Sequence, residues 1–214
     1  MDRWENDAEK AVRPEEAGEF GGELMGVEIE AKMAVEDHEP VRRALLAQGA
    51  KQISRVLEIN RILDTDDRLL QSAGKGLRVR VNRNLATQEE QTVLTIKGPL
   101  KPGPLKSREE SELTVAEPQA ALRFLETLGY RPVLTFEKRR ETWELADCKV
   151  ELDELPMLGR FVEIEGPGEA SVMAVRNSLG LGEHPVIKTS YVGLLIDYLK
   201  KHNLPTDQAT FGSG

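Results

Sequence analysis

Val27-Glu28-Ile29-Glu30 near the start of the chain and Val162-Glu163-Ile164-Glu165 near its end are the same four residues, VEIE. Each copy alternates a β-branched residue with a carboxylate. In extended backbone, neighbouring side chains point to opposite faces, so each copy sets apolar groups on one face and two acids on the other. Two like charges so placed repel each other unless a countercharge stands nearby. What balances these acids, and where, decides how the strands are arranged.

Bulk composition narrows the choices. A chain of 214 residues, 39% hydrophobic and 31% charged, suits one soluble domain with a substantial core, or at most two small ones. It has no apolar run long enough to span a bilayer, and its charged N-terminus, MDRWENDAEK, lacks the apolar segment of a secretory signal. The single cysteine, Cys148, cannot form an internal disulfide, which fits a reducing compartment, so a cytoplasmic protein with no membrane association is expected. The net charge of −8 argues against a nucleic-acid partner. Five of those eight charges fall in residues 1–23, a stretch poor in apolar residues that reads as a disordered acidic tail. Residues 24–203 then form the folded domain, and 204–214 read as a flexible C-terminal tail.

Period-two alternation marks strands along the domain. LRVRVNR and QTVLTIKG read as one hairpin, and CKVELDEL and GRFVEIEG as another. VEIEAKMAV, a helix opened by Pro40 and stopped at Gly49, and QISRVLEI form a segment that resembles REESELTV, a helix opened by Pro118 and stopped at Gly129, and RPVLTFEKRRETWEL. Val35 then aligns with Val115, although any two β-α-β segments share this outline. Two further helices are expected, EASVMAVRNSLG stopped at Gly180, and SYVGLLIDYLKKH capped by Thr189 or Ser190. Strands joined mostly by short turns, with helices between some of them, indicate a mostly antiparallel α+β domain.

Parity collects the charged residues of each strand. Glu28, Glu30 and Lys32 share a face, as do Arg78 and Arg80; Arg108, Glu110 and Glu112; Lys138 and Arg140; Glu151 and Asp153; and Glu163 and Glu165. Lys97 ends its strand. The opposite faces are apolar. An open sheet with its charges in water is the commoner pattern, but several of these strands carry one sign only, and amphipathic helices are at hand to cover the apolar faces. A barrel with helices outside and charges lining a central cavity fits better. Burying such charges without partners would cost several kcal/mol each, roughly, so a highly charged ligand is implied. Paired carboxylates suit hard cations such as Mg²⁺, and Arg and Lys suit phosphate oxygens; together they call for a polyphosphate.

The ordered set of motifs, Glu28-x-Glu30-x-Lys32, LRVR, IKGP, REESE, EKRRETW, VELDEL and FVEIEG, resembles the CYTH family, the triphosphate tunnel metalloenzymes, over residues 26 to 202. The resemblance implies a closed eight-stranded antiparallel β-barrel whose tunnel binds triphosphate with Mg²⁺ or Mn²⁺. It makes Glu28, Glu30, Glu163 and Glu165 metal ligands, with Asp153 next, and Lys32, Arg78, Arg80, Lys97, Arg108, Lys138 and Arg140 phosphate-binding groups. Lys188 would cap the tunnel, and Glu110 and Glu112 would orient basic residues. Tyr191, Trp143 and His184 read as packing or surface residues. Before the Asp-Thr turn, where relatives often carry an aromatic residue, this chain has Leu63.

The leading expectation is a metal-dependent triphosphatase acting on tripolyphosphate, ATP or thiamine triphosphate, with Lys32 or Lys97 helping to deprotonate the attacking water. A class IV adenylate cyclase, making cyclic AMP and pyrophosphate from ATP in the same cage, is the alternative, and a non-catalytic polyphosphate-binding module the third. A homodimer is compatible with each.

Overall fold

The computed structural model describes residues 26–212, with side chains from Ile29 onward, so the acidic segment 1–23 and the side chain of Glu28 lie outside the described residues. The period-two segments form β1 (Gly26–Val35), β2 (Lys51–Asp64), β3 (Gly76–Asn84), β4 (Glu90–Lys97), β5 (Lys106–Val115), β6 (Arg131–Leu145), β7 (Cys148–Leu155) and β8 (Gly159–Gly166). The helices are α1 (Glu39–Ala47), α2 (Leu69–Ser72), α3 (Pro118–Thr127), α4 (Glu169–Ser178) and α5 (Tyr191–Lys201). Proline occupies the first turn of α1 and of α3, and the glycines that follow them, Gly49 and Gly129, take φ of +73° and +89°, which a residue with a Cβ rarely adopts. Ser190 caps α5 by accepting from the Gly193 amide at 3.2 Å. The short α2 carries no periodicity of its own and was not expected.

The strands neighbour one another in the order β2-β3-β4-β5-β1-β8-β7-β6, all antiparallel, and β6 returns to β2 to close the barrel. This seam joins the two longest strands, from Lys51 opposite Glu144 to Asp64 opposite Arg131. Val35 and Val115 are the last residues of β1 and β5, so the two similar sequence segments have the same outline here, strand, helix and long strand. Residues 204–214, read from the sequence as a flexible tail, include a further strand, β9 (Gln208–Ala209), which pairs in parallel with Thr135–Phe136 of β6. That stretch of β6 extends beyond the reach of β7, which pairs only with Arg139–Leu145, so the edge of β6 facing away from β2 would otherwise lack a ladder. Phe211 continues the docking, its amide donating to Glu137 at 2.8 Å and its ring lying 4.1 Å from the Arg139 guanidinium.

The apolar faces turn outward and are covered. Val41 and Leu45 of α1, with Val172 and Val175 of α4, bury Ala31, Met33, Val150, Leu152, Val162 and Ile164 of β1, β7 and β8. Leu125 of α3 packs with Leu63, Leu77 and Val79, so the leucine before the Asp-Thr turn belongs to this outer cluster. The inward faces of β2, β6, β7 and β8 change from charged to apolar towards one end, at Ile62, Leu134, Phe136, Leu155 and Phe161, and α5 seats Tyr191 and Leu195 against them. That end of the barrel is therefore stoppered on one side by the C-terminal helix.

Asp64 fixes the other side of the same end. Its carboxylate accepts from the amides of Thr65, Leu70 and Gln71 at 2.8, 2.9 and 3.0 Å, holding α2 against the rim. Burial pushes this carboxyl up, but the three amides outweigh it and hold the group below its ordinary range. Asp64→Ala is expected to cost roughly 2 kcal/mol, seen as a fall of about 4–8 °C in thermal midpoint. Because the folded pKa is depressed, the contribution is fully present above the unfolded value of about 3.9 and is lost as pH falls through the folded value. The gap in urea midpoint between wild type and Asp64→Ala is expected to narrow below about pH 4; a gap independent of pH would mean that the carboxylate's charge plays no part.

Candidate functional site

Register converts the parity of the sequence into a charged interior. Across β1 and β8, Glu30 stands opposite Glu165 and Lys32 opposite Glu163; across β8 and β7, Glu163 stands opposite Glu151 and Glu165 opposite Lys149. On the other side, Lys106 pairs in register with Glu30, Lys97 with Glu110, Arg80 with Asn60 and Lys138 with Glu58. These side chains line one cavity of about 1040 Å³, with Arg78, Arg108, Arg140 and Lys188 among them. Of the residues singled out from sequence, Glu30, Lys32, Arg78, Arg80, Lys97, Arg108, Lys138, Arg140, Glu163, Glu165 and Lys188 all face it. The backbone of Glu28 lies opposite Arg108 in β1.

Acids and bases compensate one another in a graded way. Glu58, 2% exposed, is 3.2 Å from the Lys138 ammonium, 3.5 Å from Arg80 and 3.7 Å from Arg140. Burial alone would raise its pKa, but Lys138, Arg140, Arg80 and Arg78 together hold it well below the usual carboxylate range. Glu30 pairs with Lys106, and Glu110 with Lys97 and Arg108. Glu112 accepts from Thr95 at 2.8 Å and reaches Arg78 at 3.5 Å and Arg80 at 3.8 Å, so Glu110 and Glu112 hold basic side chains in place. Lys188 bonds the Gly103 carbonyl at 2.8 Å, tying the approach to α5 to the β4–β5 loop.

Other donors are left incomplete. Lys32 Nζ, Arg78 Nε and Arg80 Nε are buried without a hydrogen-bond partner among the described residues. Glu163 stands 3.6 Å from Lys32 Nζ, beyond hydrogen-bond reach, and the ring of Tyr191 lies under it at 4.3 Å. Burial pushes the Lys32 amine below its ordinary range and Lys106 adds to this, against the pull of Glu163 and Glu30. Burial likewise lowers Arg78, with Arg80 adding to it, to about 10.

Carboxylate oxygens of Glu151, Asp153 and Glu163 all lie within 4.8 Å of one another. Such an all-oxygen set, with Glu30 and Glu165 on the adjoining wall, has the chemistry to hold Mg²⁺ or Mn²⁺. Within the set the three acids differ. Asp153, fully buried, accepts from Arg140 at 2.6 Å on each oxygen and from Tyr191 at 2.9 Å and Lys138 at 3.4 Å on Oδ2, which commits both oxygens to protein donors. It lies behind Arg140, away from the cavity surface. Glu151 faces the cavity, and burial, reinforced by Asp153 and Glu163 against Arg140 and Lys138, pushes its carboxyl up to about 8.

Sequence reading missed Glu58, Asn60, Lys106 and Tyr191, and grouped Glu151 with Asp153 without giving it a role. Lys106 was within reach, since it has the parity of Arg108 and Glu110. Tyr191 reads as a packing residue because it opens an apolar helix; in the fold its hydroxyl donates to Asp153 and its ring faces Lys32 and Lys138. Trp143 lies in the outer core, and His184 is half-buried at the surface with its ring bonded to the Ala34 carbonyl.

A candidate adenylate cyclase of Methanocaldococcus jannaschii is 24% identical over 177 residues, covering 78% of this chain and 98% of that protein. The solved structure of a candidate adenylate cyclase from Vibrio parahaemolyticus matches with a TM-score of 0.67 at 20% identity, covering 78% of this chain and 97% of its own. That of a candidate adenylyl cyclase from Hippeastrum, described as having a dominant triphosphatase activity, matches with a TM-score of 0.63 at 17% identity, covering 85% of this chain and 97% of its own. These structural likenesses are of fold. The CYTH domain matches residues 26–173, most of the chain and all eight barrel strands, and the protein belongs to the CYTH domain family.

Proposed function

We propose that the chain is a divalent-metal-dependent triphosphatase that binds a triphosphate within the barrel. The observation that carries this reading is the set of buried donors without acceptors, Lys32 Nζ, Arg78 Nε and Arg80 Nε, all lining the same cavity. Folded proteins satisfy nearly all buried polar groups, and the oxygens of a polyphosphate would complete these. Glu30, Glu163 and Glu165, with Glu28 from the same strand and Glu151 opposite, would hold the cation. Asp153 serves instead to orient Arg140.

A bound Mg²⁺ or Mn²⁺ would supply Lewis-acid neutralisation of the phosphoryl oxygens. The chain's own residues supply the rest. Arg78, Arg80, Arg108, Lys97 and Lys138 grip the phosphates from β3, β4, β5 and β6, their charges already aimed into the cavity before a ligand arrives. Lys32, its pKa lowered by burial, takes the proton of the attacking water, and Glu163 holds its ammonium afterwards. Lys97 is the weaker candidate for that role because it is already paired with Glu110.

The cyclase reading has the name of the Methanocaldococcus jannaschii relative in its favour. Against it, the aromatic residues among the described cavity lining are Phe136, packed in the apolar cluster beside α5, and Tyr191, held by Asp153 and Lys32, which leaves no aromatic shelf for adenine. The Hippeastrum protein's description, a candidate cyclase with dominant triphosphatase activity, is the precedent for this outcome.

Purified protein given tripolyphosphate and ATP with Mn²⁺ is expected to release orthophosphate, with no turnover after chelation; cyclic AMP as the main product from ATP would establish the cyclase instead. Glu163→Gln is expected to lower kcat by about 100-fold or more with the thermal midpoint kept within a few degrees, and an unchanged kcat would remove Glu163 from the site. Arg80→Ala is expected to raise KM for tripolyphosphate by about tenfold or more, the worth of one charge-assisted contact; an unaltered KM would mean that the phosphates lie elsewhere.

A further inference from the structure

Arg140 differs from the other tunnel arginines. Arg78 and Arg80 keep donors without partners, whereas Arg140 spends its whole guanidinium on carboxylates. It reaches Asp153 twice at 2.6 Å, Glu163 at 2.7 Å, Glu151 through its remaining Nη, and Glu58 at 3.7 Å. Three of these four acids are the cluster whose oxygens lie within 4.8 Å of one another. Carboxylates so crowded need a cation among them, and here the cation is a side chain.

We infer that Arg140 is the built-in substitute for the divalent cation, and that a phosphate oxygen drawing its guanidinium off the cluster is what opens these carboxylates to the metal. This rests on the proposed triphosphate site and goes beyond it by coupling the two ligands. The metal has to displace a guanidinium held by charge-assisted bonds, and the guanidinium has to leave four acids before it can grip phosphate. Each event removes the obstacle to the other, so the two occupancies favour one another, and by linkage the coupling is equal in both directions. Asp153 itself stays in place after the guanidinium leaves, since Tyr191 and Lys138 hold that carboxylate whichever way Arg140 points. The same four residues, Glu58, Arg80, Arg140 and Glu151, line both the main cavity and a second one of about 730 Å³ at the opposite mouth, so the switch stands where the two cavities meet.

The test measures Mn²⁺ binding by the loss of its free electron paramagnetic resonance signal, with no triphosphate present. Wild type is expected to bind Mn²⁺ weakly alone and at least about fivefold more tightly with sulfate, which engages arginine but chelates Mn²⁺ poorly. Arg140→Gln is expected to bind Mn²⁺ at least about tenfold more tightly than wild type without sulfate, and to lose the sulfate effect. Arg140→Lys, which keeps the charge and loses the fork, is expected to shift the same way by less. The wild-type sulfate titration needs no variant to fold. Unchanged or weaker Mn²⁺ binding by folded Arg140→Gln, or a wild-type affinity indifferent to sulfate, overturns the inference. Because no substrate is turned over, failure of tripolyphosphate hydrolysis would leave this result standing, and failure here would leave the hydrolase reading standing.

Discussion

Like-signed side chains spaced two apart on a strand are tolerable only if the opposite sign faces them at close range. In this protein the condition is met across the inside of a barrel. Glu163 on β8 meets Lys32 from β1 and Arg140 from β6, Glu165 stands opposite Lys149 of β7, and Glu110 and Glu112 on β5 meet Lys97, Arg78 and Arg80 from β4 and β3. Closure through the β2–β6 seam brings Lys138 and Arg140 within reach of Glu58 and so completes the ring of countercharges. The outer leucines and valines and the helices over them follow from that choice, because strands that turn their charges in must cover their apolar faces from outside.

Compensation is incomplete by design of the register. The paired acids and bases on β5 and on β1 stiffen the wall, while Lys32, Arg78 and Arg80 keep unanswered donors. A buried donor without an acceptor costs about 1–3 kcal/mol, so a tunnel lined by three of them gives up stability for binding. The affinity for an anion and the strain on the ligand-free barrel are one quantity seen from two sides.

Much of this was legible in the sequence because period two is exact for a strand. The parity of IEAK, LRVR, REESE and FVEIE places each charge on the face where the fold puts it, and the apolar alternates fall on the outer face. Glu58 and Asn60 escaped because the inward face of β2 reads Val56, Glu58, Asn60, Ile62, half apolar, so its parity gives no sign of charge. Tyr191 escaped for a different reason. Its chemistry comes from where α5 meets the barrel, and an apolar helix looks alike whether it lies on a sheet or stoppers its end. The β9 strand is two residues long and owes its existence to the part of β6 that β7 leaves uncovered, a fact of three-dimensional length that no local pattern records.

The strand order has a consequence for the chain as it leaves the ribosome. Both neighbours of β1, β5 and β8, come later in the sequence, and β2 waits for β6. Until residue 166 has emerged, Glu30 and Lys32 lack their β8 partners and one edge of β1 stays unpaired. Glu30 meets its countercharge, Lys106, once β5 lies beside β1, whereas Lys32 waits for Glu163, so the last barrel strand to be synthesised completes an ion pair begun by the first.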